Sequence, residues 1–165
     1  MIGARSRARE VALQALFCRD VLPDRGWQHA EATVRDAEVP AEVKVFAKEL
    51  VDGVRRREAE IDGMLAGATE NWTIQRLAAV DRNILRLAVY ELVERDDIPA
   101  RVTINEAIEL GKRFSTAQSG AFVNGILDRI RKDLGLPAVE LDAPLDDESV
   151  RPLDLGEPTH GGSEG

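Results

Sequence analysis

The sequence predicts an all-α protein of about seven helices. Apolar residues recur at three- and four-residue spacing, as in the series Ala8, Val11, Ala12, Ala15 and Leu16, and this is the period of an amphipathic helix. Alternation of apolar and polar residues, the pattern of a strand, does not persist over any length. Prolines and glycines separate the periodic segments at helical lengths.

The boundaries of the earlier helices are predicted by this punctuation. Pro23 and Gly26 are expected to end the first helix. Pro40 is expected to open the third helix, which closes near residues 67–71. The segment 74–93 is apolar on more than one face, so it is expected to be the central helix, surrounded by the others.

The last two helices carry capping signals. Thr103, followed by Glu106, fits a capping box at the start of the sixth helix. Thr116 or Ser119 is expected to cap the last helix, and Gly135 to stop it.

The charge is concentrated at the carboxyl end. The whole chain of 165 residues carries a formal charge of −8, and the part from Pro137 onward holds eight acidic residues against Arg151. That part also lacks aromatic residues, so it cannot bury enough apolar surface to offset chain entropy. We therefore predict a helical domain in residues 1–136 and a disordered acidic tail in residues 137–165.

The residues used in catalysis are nearly absent. Neither His29 nor His160 has a partner at metal-ligand spacing, and Cys18 lies in an apolar helix without an adjacent base. No glycine-rich phosphate loop is present. We expect a soluble, cytoplasmic protein that is not an enzyme and needs no cofactor or metal, since no secretory signal or membrane-length apolar run is visible.

Positive charge is local and points to nucleic acid. Arg5, Arg7 and Arg9 form a short basic arm at the entrance of the first helix, where they can contact successive phosphates. A basic terminus that serves only solubility is an equally good interpretation of this segment alone.

The stretch between the last two helices strengthens the nucleic-acid interpretation. Its cations suit phosphates, its hydroxyls and amide suit hydrogen bonds to RNA, and an exposed aromatic ring can stack on a base. The candidate RNA-binding residues here are Lys112, Arg113, Phe114, Ser115, Gln118, Ser119 and Phe122. Core packing is the alternative for both phenylalanines, and we expect Phe122 to present its ring to a base.

Four segments carry a family resemblance. They are RAREVALQALF, VDRNILRLAVYEL, INEAIELGKRF and FVNGILDRI, in that order. Together they resemble the NusB family of bacterial transcription antitermination factors, over roughly residues 5–134. The resemblance implies two small helical bundles that bind the boxA element of nascent ribosomal RNA without catalysis.

The resemblance also implies partners. The family pairs with NusE, a ribosomal small-subunit protein, and joins other Nus factors on RNA polymerase; a homodimer is a further candidate assembly. The resemblance places the NusE-facing surface at Phe17 and Asp81. Two features depart from the family: the arginines of the arm alternate with small residues, and the acidic tail lies outside the family pattern. The alternative function is a helical protein–protein interaction module that does not bind RNA directly.

Overall fold

The computed structural model describes residues 3–22, 24–69 and 74–137. Seven α-helices account for most of these residues, and no strand occurs among them. The helices are α1 (Ala4–Val21), α2 (Gly26–Arg35), α3 (Ala41–Arg56), α4 (Glu58–Ala68), α5 (Ala79–Glu94), α6 (Ala100–Phe114) and α7 (Ser119–Asp133). The prediction of an all-α fold with about seven helices is confirmed.

The helices pack in two groups that α5 joins. Helices α1, α2 and α3 contact one another, whereas α5, α6 and α7 pack together with α4 at their side. Helix α5 also contacts α1 and α3, and every residue from Asn83 to Leu92 is buried. The prediction of a central helix in segment 74–93 is therefore confirmed, although its first residues form a separate 3₁₀ turn, Ile74–Arg76.

The predicted third helix is in fact two helices. The chain leaves helical geometry at Arg57, where φ is −111° and ψ is 19°. Arg55 and Arg56 lie in the last turn of α3, and Glu58 and Glu60 lie in the first turn of α4. Because cations stabilise the carboxyl end of a helix and acids the amino end, this charge order favours a break here.

The predicted capping box in α6 is wrong. Helix α6 begins at Ala100 after Pro99, because the fixed φ of proline suits a helix start. Thr103 consequently lies inside the helix, where its buried hydroxyl donates a hydrogen bond to Glu91 Oε1 at 2.8 Å. The threonine thus joins α6 to α5.

As predicted, Gly135 stops α7: it follows the helix end at Asp133 by two residues and adopts a φ of 71°. The Gly135 N–H donates to the Lys132 carbonyl at 3.0 Å, and the Leu136 N–H donates to the Arg131 carbonyl at 3.1 Å. This pair of bonds is the Schellman motif, in which glycine takes the left-handed position without a Cβ penalty. The predicted disordered tail falls, after Pro137, on residues 138–165, which lie outside the described residues.

A buried cluster of charges fixes α1 against α5. Asp20 accepts hydrogen bonds from Arg82 Nε and Arg86 Nη1, both at 2.9 Å, and from Asn83 Nδ2 at 3.0 Å. Burial opposes ionisation of Asp20, but the hydrogen bonds from Arg82 and Asn83 and the charge of Arg86 outweigh it and lower the pKa of Asp20. The carboxylate therefore stays ionised at neutral pH and holds the two helices together.

Candidate nucleic-acid interface

The turn between α6 and α7 presents two cations and an aromatic ring at the surface. Lys112 and Arg113 lie in the last turn of α6, where cations also favour the helix end. Phe114 is the last residue of that helix and is 46% exposed, an unusual position for a large apolar side chain. The Arg113 guanidinium lies 5.3 Å from the centre of the Phe114 ring, so the ring carries a cation beside it.

The hydroxyls of the same turn bind one another. Ser119 Oγ donates to Ser115 Oγ at 2.9 Å and accepts a hydrogen bond from the Thr116 backbone N–H at 3.2 Å. Ser119 is buried, and the residue before α7 is Gln118, whose side chain makes no capping bond. Neither Ser119 nor Thr116 therefore occupies the predicted capping position; their hydroxyls hold the shape of the turn, whereas Gln118 is exposed.

Gly111 and Gly120 allow α6 and α7 to approach closely at this turn. A Cβ added at Gly111 would lie 3.4 Å from Ser119 Cβ, and one added at Gly120 would lie 3.4 Å from Ile108 Cγ2. Both separations are at the lower limit of ordinary contact. The two small residues thus bring the start of α7 beside the end of α6.

The two candidate phenylalanines have different environments. Phe122 is half-buried and packs against the hydrophobic core. Phe114 is the more exposed ring. The structure therefore favours Phe114 over Phe122 as the ring that can stack on a base.

The predicted arm is part of α1, so its three arginines point in different directions. Successive residues of a helix are rotated by about 100°, which places Arg5 and Arg9 on one side of α1 and Arg7 on the other. The Arg5 and Arg9 guanidinium groups lie 4.9 and 5.8 Å from the centre of the Phe46 ring. Only Arg7 faces the end of α6, where it and Arg113 approach the same carboxylate, Glu10.

Arg9 differs most from the prediction, because its side chain is only 4% exposed. Its Nε and Nη2 atoms donate hydrogen bonds of 2.7 and 3.0 Å to the buried carboxylate of Glu91. An arginine in this position is not available to a phosphate. Arg9 therefore joins α1 to α5 inside the fold.

Arg5 already has an acidic partner at the surface. Its Nη2 lies 3.4 Å from Asp97 Oδ2, and hydrogen bonds from Arg95 lower the pKa of Asp97 to about 2. Asp97 is thus ionised throughout the neutral range. Arg5 lies on the Phe46 side of α1, away from the group formed by Arg7 and Arg113.

A groove of about 600 Å³ runs beside the cations. It extends from the start of α1 and the end of α6 to the start of α5. Its lining includes Arg7, Glu10, Phe17, Val80, Arg113 and Phe114. The structure thus brings the candidate partner residue Phe17 into the same groove as three RNA candidates.

Asp81, the second candidate partner residue, lies directly after Val80 in the first turn of α5. It is partly buried, and its Oδ1 atom is buried without a hydrogen-bond partner within the described residues. A buried carboxylate oxygen without a donor is stabilised when a partner molecule supplies a hydrogen bond to it.

Sequence reasoning missed Glu10 because its partner Arg113 is distant in the chain. The only local signal was its position three residues after Arg7, the spacing of a helical ion pair.

Among the residues that the structure describes, no group of three or more His, Cys, Asp or Glu side chains is arranged to hold a metal ion. Cys18 is half-buried and free. None of the helices that the structure describes combines the length and apolar character needed to cross a bilayer.

Comparison with known proteins identifies the family. The NusB family model matches residues 6–132. The transcription antitermination protein NusB of Geobacter sulfurreducens is 48% identical over 134 residues, which cover 81% of this chain and 97% of the relative. NusB of Myxococcus xanthus is 44% identical over 144 residues, covering 82% of this chain and all of the relative.

Solved structures agree with the sequence comparison. T. maritima NusB superposes with a TM-score of 0.74 and 42% identity, over 81% of this chain and 94% of that one. A chain from the crystal structure of antitermination factors NusB and NusE in complex with double-stranded RNA gives a TM-score of 0.72 with 29% identity, over 81% of this chain and 99% of that one. By sequence and by fold, this chain belongs to the NusB family.

Proposed function

We propose that this protein is a transcription antitermination factor that binds boxA RNA together with NusE and does so without catalysis. The observation that carries the proposal is the meeting of Arg7, Arg113 and Phe114 in one groove, with Lys112 in the same last turn of α6, in a chain that matches the NusB family over residues 6–132. A related NusB has been crystallised with NusE and RNA. Assembly with the other Nus factors on RNA polymerase, and hence a cytoplasmic location, belong to the same proposal.

The proposed RNA-facing residues differ in the kind of contact that each can make with RNA. Arg7, Lys112 and Arg113 supply positive charge to phosphates. Phe114 supplies an exposed ring for stacking on a base, and the exposed amide of Gln118 can hydrogen-bond an unpaired base.

Four of the predicted RNA-binding residues support the RNA surface or lie at its edge, and they are not proposed as its main contacts. Ser115 and Ser119 hold the turn through their mutual hydrogen bond. Phe122 supports α7 against the core, and Arg5 lies on the far side of α1 beside Phe46. Arg9 is not included in the RNA surface, because it is buried against Glu91 and stabilises the fold.

The NusE-facing surface is proposed to continue from the same groove. Phe17 gives its apolar wall, and Asp81 offers a buried carboxylate oxygen that lacks a donor in the described residues. NusE would then lie next to the RNA, so that each ligand can strengthen binding of the other. A second copy of this chain is the competing occupant of the groove, and sedimentation of the free protein tests for it.

A titration with RNA tests the proposal. Fluorescently labelled boxA RNA and a scrambled RNA of equal length are titrated with the protein, alone and with NusE present. We expect boxA RNA to bind more tightly than the scrambled RNA, and NusE to increase the difference. Equal binding of both RNAs, with NusE binding retained, would favour the alternative of a protein–protein interaction module.

A matched pair of variants locates the RNA on the surface. Arg113→Ala is expected to weaken boxA binding by about tenfold, the value of one charged hydrogen bond. The control is Arg55→Ala, because Arg55 is also exposed and paired with a glutamate, Glu31, at 3.1 Å, but lies on α3. Equal losses in the two variants would place the RNA elsewhere.

A further inference from the structure

Glu10 lies between two cations of the proposed RNA surface. Its side chain is 10% exposed, and its Oε1 atom lies 2.9 Å from Arg113 Nη2. The Oε2 atom lies 3.6 Å from Arg7 Nη1. One largely buried carboxylate is therefore shared by a guanidinium from α1 and another from the end of α6.

Glu10 is not needed to attach α1 to α6, because other contacts already join these helices. Ser6 Oγ already donates a hydrogen bond of 2.5 Å to Glu106 Oε1, and Arg9 Nη1 lies 3.7 Å from the same oxygen. These contacts hold the first turns of α1 on α6. The Oε2 atom of Glu10 is buried and makes no hydrogen bond in the described structure, which is costly for a carboxylate placed only for stability.

We propose that Glu10 is a positioning residue that holds Arg113 ready for RNA through its close contact, keeps Arg7 beside it by charge, and limits the net charge of the surface; this rests on the function proposed above. Long side chains lose conformational freedom when they bind, and a partner that orders them beforehand removes part of that cost. The negative charge also offsets one of the two cations, so that attraction to any polyanion is reduced. Both effects favour an RNA that fits the pair of guanidinium groups over an RNA that merely carries phosphates.

The neighbouring pair of Lys112 and Glu109 provides a contrast. These side chains are both 60% exposed, and the Lys112 Nζ atom lies 3.6 Å from Glu109 Oε1. An exposed pair of this kind is screened by water and holds neither side chain firmly. Glu109→Gln is therefore the matched control, since it removes the same charge beside a cation of the same surface without removing an ordered contact.

The test measures the affinities of Glu10→Gln and Glu109→Gln for boxA RNA and for a scrambled RNA of equal length across a salt series. For Glu10→Gln, we expect boxA binding at high salt to weaken by about threefold to tenfold, chiefly because Arg113 is no longer ordered before it binds. Binding of the scrambled RNA should become more salt-dependent, with its log–log slope steeper by about 0.7. Glu109→Gln should keep the wild-type ratio of the two affinities.

A second variant separates position from charge. Glu10→Asp keeps the negative charge but withdraws the carboxylate by one methylene, so boxA binding should weaken while the salt slope stays at the wild-type value. Thermal melting of each variant confirms that it is folded.

Two results would overturn the inference. The first is a wild-type ratio of boxA affinity to scrambled-RNA affinity in both Glu10 variants, and the second is a decrease of that ratio in Glu109→Gln as large as the decrease in Glu10→Gln. Failure of the proposed function is recognised separately, because wild-type protein would then bind both RNAs equally, and the inference would fall with it.

Discussion

Replacing Arg9 by alanine is expected to destabilise the fold far more than replacing Arg7, although the two residues are neighbours in one basic segment. The side chain of Arg9 makes two hydrogen bonds to Glu91, which is itself 1% exposed. Removing the arginine leaves a buried carboxylate whose one remaining side-chain donor among the described residues is the Thr103 hydroxyl, a change that costs about 3–5 kcal/mol. Arg7 is 52% exposed and 3.6 Å from Glu10, so its loss should cost about 1 kcal/mol or less.

Urea denaturation followed by circular dichroism measures this difference. With a denaturant dependence of about 2 kcal/mol per molar urea, Arg9→Ala should lower the midpoint by about 2 M. The double variant Arg9→Met, Glu91→Leu should recover much of the loss, because it leaves no charge buried without a partner. A midpoint for Arg9→Ala equal to that of Arg7→Ala, or a double variant no more stable than Arg9→Ala, would refute this reasoning.

Three further predictions concern the rings, the acid range and the tail. In RNA titrations and melting curves, Phe114→Ala should weaken boxA binding by about 1–3 kcal/mol and leave the melting temperature nearly unchanged. Phe122→Ala should instead lower the stability of the fold by about 2 kcal/mol. A destabilised Phe114→Ala protein together with a stable Phe122→Ala protein that binds boxA weakly would contradict this prediction. Because the pKa of Asp20 is lowered in the folded protein, its contribution to stability is present above about pH 4 and is lost as the pH falls further. The melting temperature of Asp20→Asn should therefore be below that of the wild type at about pH 7, and it should fall less than that of the wild type between about pH 5 and about pH 3. Parallel plots of melting temperature against pH for the two proteins would count against this prediction. Deleting residues 138–165 removes eight acids and one arginine and should tighten RNA binding at low salt; unchanged affinity at low ionic strength would exclude competition by the tail.

Apolar periodicity was sufficient to predict most of the helices and the central position of α5, but not the break between α3 and α4. The pattern identifies which side chains face inward, and the burial of segment Asn83 to Leu92 follows from it. Gly135 was also predictable, because a helix end in the left-handed conformation strongly favours glycine. Thr103 was not, since its spacing to Glu106 is the same in a capping box and in a helix interior, and only tertiary structure supplies Glu91 as its partner.

The candidate site was predicted less completely, for two physical reasons. The sequence placed Arg5, Arg7 and Arg9 in an arm, but α1 begins at Ala4, and the rotation of a helix separates the three side chains. The pairing of Glu10 with Arg113 depends on how α1 lies against α6, and no local pattern reports that.

Mapping of backbone amide chemical shifts during a boxA RNA titration tests the central claim most directly, because it locates the RNA on the protein without mutation. We expect the largest changes around Arg7 and in residues 112–122, and only small changes near Phe46 and Arg95, on the opposite side of α1. Changes concentrated near Phe46, or no changes at saturating RNA, would contradict the assignment of this face to RNA.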